Sequence, residues 1–229
     1  MRLRAALRMI AAAIRANLLP GLLLQCLMGI FLFAYATHDG TQRFLMAVAE
    51  VKRQAGFPFA FFSYILAAAL LPEVLRIVFF QSGRPTLRNL RLFLTAAPAW
   101  GMMGVAVDIF YRCQAGWFGD VNSLSSIVPK VLVDQFLFSP LFSNPLMIGY
   151  FTLRDAEFRL GAWHQIFCRG FYWEKVMPVQ VAAWLIWIPG VSLVYSMPQL
   201  VQIPVAVVIM CFWVLIFTTL GERLSRGRP

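Results

Sequence analysis

Six long apolar segments constrain this chain more than any other feature of its sequence. Each approaches or reaches the roughly 20 residues that an α-helix needs to cross the hydrocarbon core of a bilayer. The segments cover residues 18–36, 57–80, 93–111, 127–151, 176–197 and 198–220. Backbone polar groups inside a bilayer must bond to one another, so spans of this kind are helical. We therefore expect an all-α fold, a polytopic transmembrane bundle of five or six helices. The last two segments either form a tight hairpin around 196–199 or include a re-entrant one.

The composition agrees with this prediction. Of the 229 residues, 60% are hydrophobic and 13% are charged, whereas soluble domains carry about 25% charged residues. The formal net charge of +10 would suggest nucleic acid in a soluble protein. Here the basic residues flank the apolar segments instead, and we predict no nucleic-acid partner. The expected partners are the lipid bilayer and small solutes or ions, and a homo-oligomer is left open. The whole chain, 1–229, is expected to be one integral membrane domain.

The distribution of basic residues predicts the orientation of the chain. Fourteen of the 20 Lys and Arg residues lie within 1–15, 84–91, 154–175 and 223–228. The alternate flanks hold four, which are Arg43, Lys52, Arg53 and Arg112. Cytoplasmic or matrix loops carry the excess of positive charge, so this asymmetry predicts six spans with both termini on that side. We call it the basic side. Segment 154–175, which mixes charged with Phe and Trp residues, is expected to be an interfacial or cytoplasmic loop with an amphipathic helix.

The first residues of the chain allow two interpretations. Residues 1–38 contain no acid, and Arg4, Arg8 and Arg15 share one helical face, as in a mitochondrial presequence. Serine, which such presequences usually contain, is absent there. We favour a retained amphipathic helix over residues 2–16 that lies on the membrane surface before the first span. A bacterial inner membrane is the preferred location, with the mitochondrial inner membrane second.

Several charged residues fall inside the apolar segments, where a charge costs about 2.5–3.5 kcal/mol and needs a partner or water. Glu73 and Arg76 are three residues apart and predict a structural ion pair within the bundle. Lys130 and Asp134 are four apart, which fits either an interfacial pair, with the lysine reaching towards the headgroups, or a polar cavity. The residues expected to line that cavity or a pore are Asp134, Gln135, Lys130, Asp108 and Gln180.

Prolines are unusually frequent in these segments. Ten of the 13 lie in or at the edges of apolar segments: Pro20, Pro58, Pro72, Pro98, Pro129, Pro140, Pro145, Pro178, Pro189 and Pro204. Each interior proline removes a helical hydrogen bond, so we expect kinked or broken helices. Freed carbonyl groups must then be satisfied by neighbours or by a water-lined cavity. Broken helices of this type are common in transporters.

Motifs for catalysis or cofactors are absent from the sequence. It contains no H-E-x-x-H, no G-x-S-x-G and no phosphate-binding G-x-x-x-x-G-K-[ST]. The four cysteines form no C-x-x-C pair, and the two histidines are far apart. We therefore predict no enzymatic activity, no cofactor and no metal site.

Four groups of residues occur in an order that is known from one protein family. The central group is K-V-L-V-D-Q at 130–135, followed by Pro140. The others are Arg88 and Arg91 before a Gly101…Gly104 stretch that ends in Phe110-Tyr111, K-V-M-P-V-Q at 175–180, and Ile188-Pro189. Together they resemble the motifs of the twenty-two-kilodalton peroxisomal membrane protein family, also called the Mpv-seventeen family. The chain departs from that pattern at Met177, Trp184, Leu193 and Asp108, and is similar to a distant member.

The resemblance implies a small helical protein of an organelle or bacterial inner membrane. Some members of that family are described as weakly selective pores for small solutes. The expected function is therefore a weakly selective channel or pore for small solutes or ions. Carboxylates at a constriction would favour cations, whereas a buried Lys130–Asp134 pair would leave the pore nearly neutral. The main alternative is a non-transporting membrane protein that supports the assembly or stability of a partner, with the polar residues joining helices.

Overall fold

A computed structural model describes residues 2–168 and 170–226, with side chains described for 18–168 and 170–215. Within these ranges the chain is all-α and contains no strand. The ten α-helices are α1 (Arg2–Thr37), α2 (Asp39–Ala55), α3 (Phe57–Tyr64), α4 (Leu71–Phe80), α5 (Leu87–Phe118), α6 (Leu124–Val133), α7 (Asn144–Asp155), α8 (Trp163–Phe167), α9 (Met177–Tyr195) and α10 (Gln199–Arg226). The structure thus confirms the predicted all-α fold.

Five stretches of the described chain are long and apolar enough to cross a membrane. They are Leu18–Thr37, Phe57–Phe80, Leu87–Phe118, Leu124–Asp155 and Tyr172–Tyr195. Two of them are longer than the apolar segments at 93–111 and 127–151, because their helices continue into polar flanks. At the start of α5, Thr86 and Asn89 form a reciprocal capping box, which satisfies backbone N–H groups that a helix leaves unpaired at its first turn.

The last helix, α10, lies at the centre of the bundle. Residues 201–206 are all buried, and α10 contacts α1, α2, α4, α5 and α9. A helix that is apolar on every side is expected in such a buried position. It is joined to α9 by the short turn at 196–198, so the last two segments form a tight hairpin. Its described apolar part, Gln199–Leu215, is shorter than the five spans, although the 28-residue helix extends about 42 Å.

Helix α2 was not predicted from the sequence, where its residues belong to a charged flank between spans. It follows α1 after His38 alone and ends at Gly56, whose φ of 64° favours glycine. One face of α2 buries Leu45, Ala49 and Lys52, and the helix packs against α10 and α3. Because its apolar residues are interrupted by charges, α2 has no long apolar run for a span prediction to detect.

In the described residues, three π-helical segments interrupt the spans, and each contains or precedes a proline. They are Ile65–Leu70, Asp134–Ser143 and Tyr172–Val176, and the corresponding prolines are Pro72, Pro140 and Pro178. Proline lacks an N–H and its ring collides with the carbonyl four residues earlier. A π-helical turn is wider and bonds each N–H to the carbonyl five residues earlier, which relieves that collision. The helices therefore continue through these prolines.

Helices α3 and α5 approach each other closely at two glycines. A Cβ atom on Gly104 would lie 2.4 Å from the carbonyl oxygen of Ala60, and one on Gly101 would lie 2.5 Å from the Phe61 ring. Small residues at such positions let helix backbones come together in a membrane. The two glycines therefore set the α3–α5 distance.

The segments that flank the spans were predicted to form an amphipathic helix at 154–175 and another at 2–16. The described residues of segment 154–175, which exclude 169, form short helical pieces and not one amphipathic helix, so that part of the prediction was wrong. Its ends belong to α7 and to the span Tyr172–Tyr195, and Leu160–Ala162 and α8 are single turns between them. At the N-terminus α1 runs unbroken from residue 2 to 37. The side chains of residues 2–17 lie outside the described part, and so does the predicted amphipathic face over 2–16.

Candidate functional site

A buried polar network surrounds Asp134, at the point where α6 widens into the π-helical segment. Asp134 is 6% exposed. Its Oδ2 accepts a hydrogen bond from the Tyr195 hydroxyl at 2.6 Å, and its Oδ1 accepts one from Gln135 Nε2 at 2.9 Å. The Tyr195 hydroxyl also accepts a bond from Gln114 Nε2 at 2.7 Å. The network therefore connects α5, the π-helical segment and α9.

Lys130 lies one turn from Asp134, but the interfacial ion pair between them is not formed. The described contacts include no salt bridge within 4 Å between these two residues. Instead, Lys130 Nζ lies 5.9 Å from the centroid of the Tyr195 ring, and the Lys130 carbonyl accepts a bond from Gln114 Nε2 at 3.2 Å. Lys130 is 1% exposed, so its side chain is covered by the protein. Asp134 turns instead towards the phenol and amide donors that reach it.

Asp108 is fully buried and belongs to a separate cluster on the side of the membrane opposite the basic side. Lys52 Nζ lies 3.0 Å from its Oδ1, and Arg112 Nη2 lies 3.0 Å from its Oδ2. The Lys52 side chain is 4% exposed and comes from α2. The structure thus engages Asp108 in an ion-pair cluster that ties α2 to α5, and Asp108 lines neither of the two cavities described below.

Gln180 is also buried, and it joins α9 to the π-helical segment. Its Oε1 accepts hydrogen bonds from Asn144 Nδ2 at 2.7 Å and from Ser139 Oγ at 3.1 Å. Ser139 and Asn144 line the same cavity as Asp134. Gln180 therefore supports the wall of this cavity from behind.

Near the basic side, Glu73 and Arg76 are in contact, as their spacing predicts. Arg76 Nη1 donates to Glu73 Oε1. The other carboxylate oxygen of Glu73 accepts a bond from Asn89 Nδ2 at 2.8 Å. Asn89 is the third residue of α5 and belongs to its capping box, so the pair also joins α4 to α5.

Within the described part of the chain, a larger and a smaller cavity lie along the bundle and have Trp100 in common. The first, which we call the vestibule, has a volume of about 680 Å³, and its polar lining includes Glu73, Arg76, Arg88, Asn89 and Arg154. The second, which we call the Asp134 cavity, has a volume of about 190 Å³ and is lined by Asp134, Gln135, Ser139 and Asn144 together with aromatic and aliphatic side chains. Trp100 lines both cavities.

The proline in the π-helical segment shapes the wall of the Asp134 cavity. Pro140 has no N–H to give to the carbonyl of Gln135, five residues earlier. Trp184 Nε1 donates to that carbonyl at 2.8 Å. The indole therefore satisfies a backbone group that the proline frees, as a low-dielectric environment requires.

Tyr195, Gln114, Lys52 and Trp184 are among the cluster residues that sequence reasoning missed. A search for charges inside apolar runs does not find a tyrosine or a tryptophan whose polar atom reaches a buried partner. Gln114 lies beyond the predicted end of the third segment at 111. Lys52 lies in the flank that becomes α2. In each case the partner comes from a distant part of the chain.

These features define a polytopic α-helical integral membrane protein with polar clusters inside its bundle. Among the described residues, no group of three or more His, Cys, Asp or Glu side chains is arranged to hold a metal ion. No protein-family model, no curated protein and no solved structure matches the chain.

Proposed function

We propose that this protein forms a weakly selective channel or pore for small solutes or ions. One observation carries the proposal. Trp100 lines both the vestibule and the Asp134 cavity, and we infer that movement of this side chain would join them into a longer passage. A bulky, mainly apolar side chain between two polar spaces can act as a gate by excluding water.

The proposed pathway begins on the basic side. A solute would enter past the guanidinium groups of Arg76, Arg88 and Arg154, pass Trp100, and reach Asp134 and Gln135. Charges of both signs line this route, which suits weak discrimination among small solutes. When ionised, the Asp134 carboxylate would favour cations at the narrower cavity. Lys130, Asp108 and Gln180 would support the pathway without lining it.

Flux measurements in liposomes test this proposal. We expect the purified protein to admit small solutes, Trp100→Ala to raise their flux several-fold, and Asp134→Asn to lower the preference for cations. Trp117→Ala is the matched control, because Trp117 is 64% exposed and lies outside both cavities. If liposomes with wild type and with Trp100→Ala are as tight as empty liposomes, while both proteins remain folded, the pore proposal fails.

A non-transporting role in the assembly or stability of a partner is the second candidate. It is favoured by the hydrogen bonds of the Asp134 network, which connect three helical segments and could serve only to hold them together. In this case no variant would change flux, and loss of the protein would instead lower the amount of a partner complex in its membrane. Quantifying membrane complexes with and without the chain separates the two functions.

We also propose distant membership of the Mpv-seventeen family and an inner membrane as the location, bacterial first and mitochondrial second. The support is the motif order, together with the positions of its residues: Gly101 and Gly104 lie at the α3–α5 contact, and Asp134 and Gln135 line a cavity. The proposed function involves no enzymatic activity and no cofactor, in keeping with the missing motifs.

A further inference from the structure

The outer surface between α5 and α7 carries two adjoining depressions of different chemistry. One, which we call the apolar groove, has a volume of about 380 Å³. Its lining is apolar apart from the hydroxyl of Tyr150 and includes Pro98, Ala99, Met102, Phe142 and Leu146. The other, the arginine cleft, has a volume of about 410 Å³ and contains Arg88, Arg91, Thr95 and Arg154. Because α5 begins on the basic side, the arginine cleft lies at that end.

The two depressions follow one another along the same helix faces. On α5 the lining residues pass from Arg88, Arg91 and Thr95 in the cleft to residues 98, 99, 102 and 106 in the groove, which is the spacing of one helical stripe. On the facing wall the lining positions 142, 146, 150 and 154 are four apart. The Tyr150 hydroxyl donates to the Thr95 carbonyl at 2.6 Å, so the two walls meet at the junction.

The charges of the arginine cleft leave one guanidinium available. Arg91 pairs with Glu157 at 3.1 Å and Arg154 with Asp155 at 2.7 Å. Arg88, in contrast, has no salt bridge within 4 Å in the described part of the chain. The hydrogen bond from Arg91 holds the pKa of Glu157 below its ordinary value, so this acid stays ionised and occupied. The cleft keeps a net positive charge of one, centred on the side where anionic lipids attract basic residues.

We propose that the groove and the cleft together bind one anionic phospholipid, with an acyl chain in the apolar groove and the headgroup phosphate on Arg88 and Arg154. The dimensions agree with this occupant. From Thr95 to Ala106 the helical rise is about 16 Å, and one leaflet contributes about 15 Å of hydrocarbon. Tyr150 lies at the level where an amphipathic ring is expected at the membrane interface.

This lipid would lie next to the proposed solute pathway. Arg88 and Arg154 line the vestibule as well as the arginine cleft. A phosphate group held between them would stand at the edge of the vestibule and alter its charge. The lipid site itself needs no solute flux, so it can be tested even if the pore proposal fails.

Native mass spectrometry of the purified protein in detergent tests the proposal with synthetic lipids of matched chains. We expect phosphatidylglycerol to bind at least tenfold more tightly than phosphatidylcholine. The variant Arg88→Gln with Arg154→Gln should remove most of that preference, whereas Arg43→Gln, which removes an exposed charge on the other side, should keep it. Ala99→Trp should weaken binding of both lipids by obstructing the groove, and Leu94→Trp, on the exposed surface outside the groove, should not.

Three results would overturn this assignment. Equal binding of both lipids by wild type would show that the cleft does not distinguish headgroups by their charge. Competition by glycerophosphoglycerol as effective as that by the intact lipid would make the cleft a site for free phosphate. If Arg43→Gln and the double variant lose the preference for phosphatidylglycerol equally, the preference depends on the net charge of the protein and not on the cleft. Thermal unfolding of every variant in the same detergent identifies any that fails to fold.

Discussion

At the scale of single residues, the polar side chains buried in this bundle differ in what they require from their surroundings. A buried donor or acceptor that loses its partner costs about 1–3 kcal/mol, and more if the remaining group is charged. Asp134 meets this requirement with a phenol and an amide, whereas Asp108 is neutralised by two cations, of which Arg112 donates a hydrogen bond to it. The first arrangement keeps a carboxylate beside a cavity, and the second uses its carboxylate to tie helices together.

The hydroxyl of Tyr195 is the centre of the Asp134 network, so its removal should be costly. Tyr195→Phe leaves Asp134 Oδ2 and Gln114 Nε2 without this partner. We expect a loss of about 1–3 kcal/mol in the free energy of unfolding, measured by thermal unfolding in detergent. Tyr111→Phe is the control, because the Tyr111 hydroxyl makes no hydrogen bond within the described part of the chain. A double-mutant cycle should give stronger coupling of Asp134 to Tyr195 than to Lys130, and the reverse order would contradict the network.

Lys52 and Arg53 are neighbours on α2 that should respond very differently to substitution. Lys52→Met removes the more buried of the two cations that pair with the fully buried Asp108 and, because Arg112 remains, should destabilise the protein by about 3 kcal/mol, at the low end for a broken buried pair. Arg53→Met removes one half of an exposed pair with Glu50 and should barely change the thermal stability, because solvent screens an exposed pair. Thermal unfolding of the two variants measures the contrast. Equal, small losses would mean that α2 is not tied to the bundle through Asp108.

At the scale of elements, the length of the spans could be predicted from the sequence and their internal geometry could not. Apolar runs predict spans because the residues that face lipid must be apolar along the whole length of a crossing. The prolines indicated local disruption, but their outcome depended on distant residues. At Pro140, for example, the wide turn is accompanied by Trp184, which lies 44 positions later in the chain and satisfies the Gln135 carbonyl. Helix α2 escaped prediction because its buried face is built from only a few residues.

The contact of α3 with α5 gives a prediction at this scale. Gly104→Ala places a methyl group 2.4 Å from the Ala60 carbonyl oxygen, so the two helices must separate. Overpacking of this kind typically costs about 1–3 kcal/mol. Gly116→Ala on the same helix meets no atom within 4 Å and should be neutral or stabilising, since alanine favours helix over glycine by about 1 kcal/mol. Thermal unfolding of both variants decides the matter: if Gly104→Ala is as stable as Gly116→Ala, the helices are not closely packed there.

The candidate site shows the same limit of sequence reasoning. Charges in apolar runs correctly drew attention to Asp134, Asp108 and Glu73, because a charge in lipid needs a partner. The partners themselves were misassigned for Asp134, since a four-residue spacing suggested Lys130 and the structure supplies Tyr195. Local spacing identifies neighbours on one helix, whereas three-dimensional packing decides which of several donors reaches the carboxylate.

At the scale of the whole molecule, the polar groups at the two ends of the bundle differ in arrangement. The Lys52–Asp108–Arg112 cluster lies towards the end opposite the basic side, and the vestibule lies towards the basic side. Between them is the Asp134 cavity, which has about a quarter of the vestibule's volume. In the proposed passage, the larger cavity therefore faces the basic side, and the ion cluster that ties α2 to α5 lies towards the opposite end.

The orientation of the molecule can be tested with its own cysteines. Cys113 and Cys168 are both exposed, and the span Leu124–Asp155 lies between them, so they should face opposite sides. The excess of basic residues predicts that Cys168 faces the cytoplasmic or matrix side. In single-cysteine variants, we expect an impermeant maleimide added outside intact cells or vesicles to label Cys113 and to reach Cys168 only after permeabilisation. Cys26, in the middle of the first span, is the control and should stay unlabelled in both conditions. Labelling of both sites from one side would remove the crossing between them, and exchange of the two results would reverse the orientation and place the arginine cleft in the opposite leaflet.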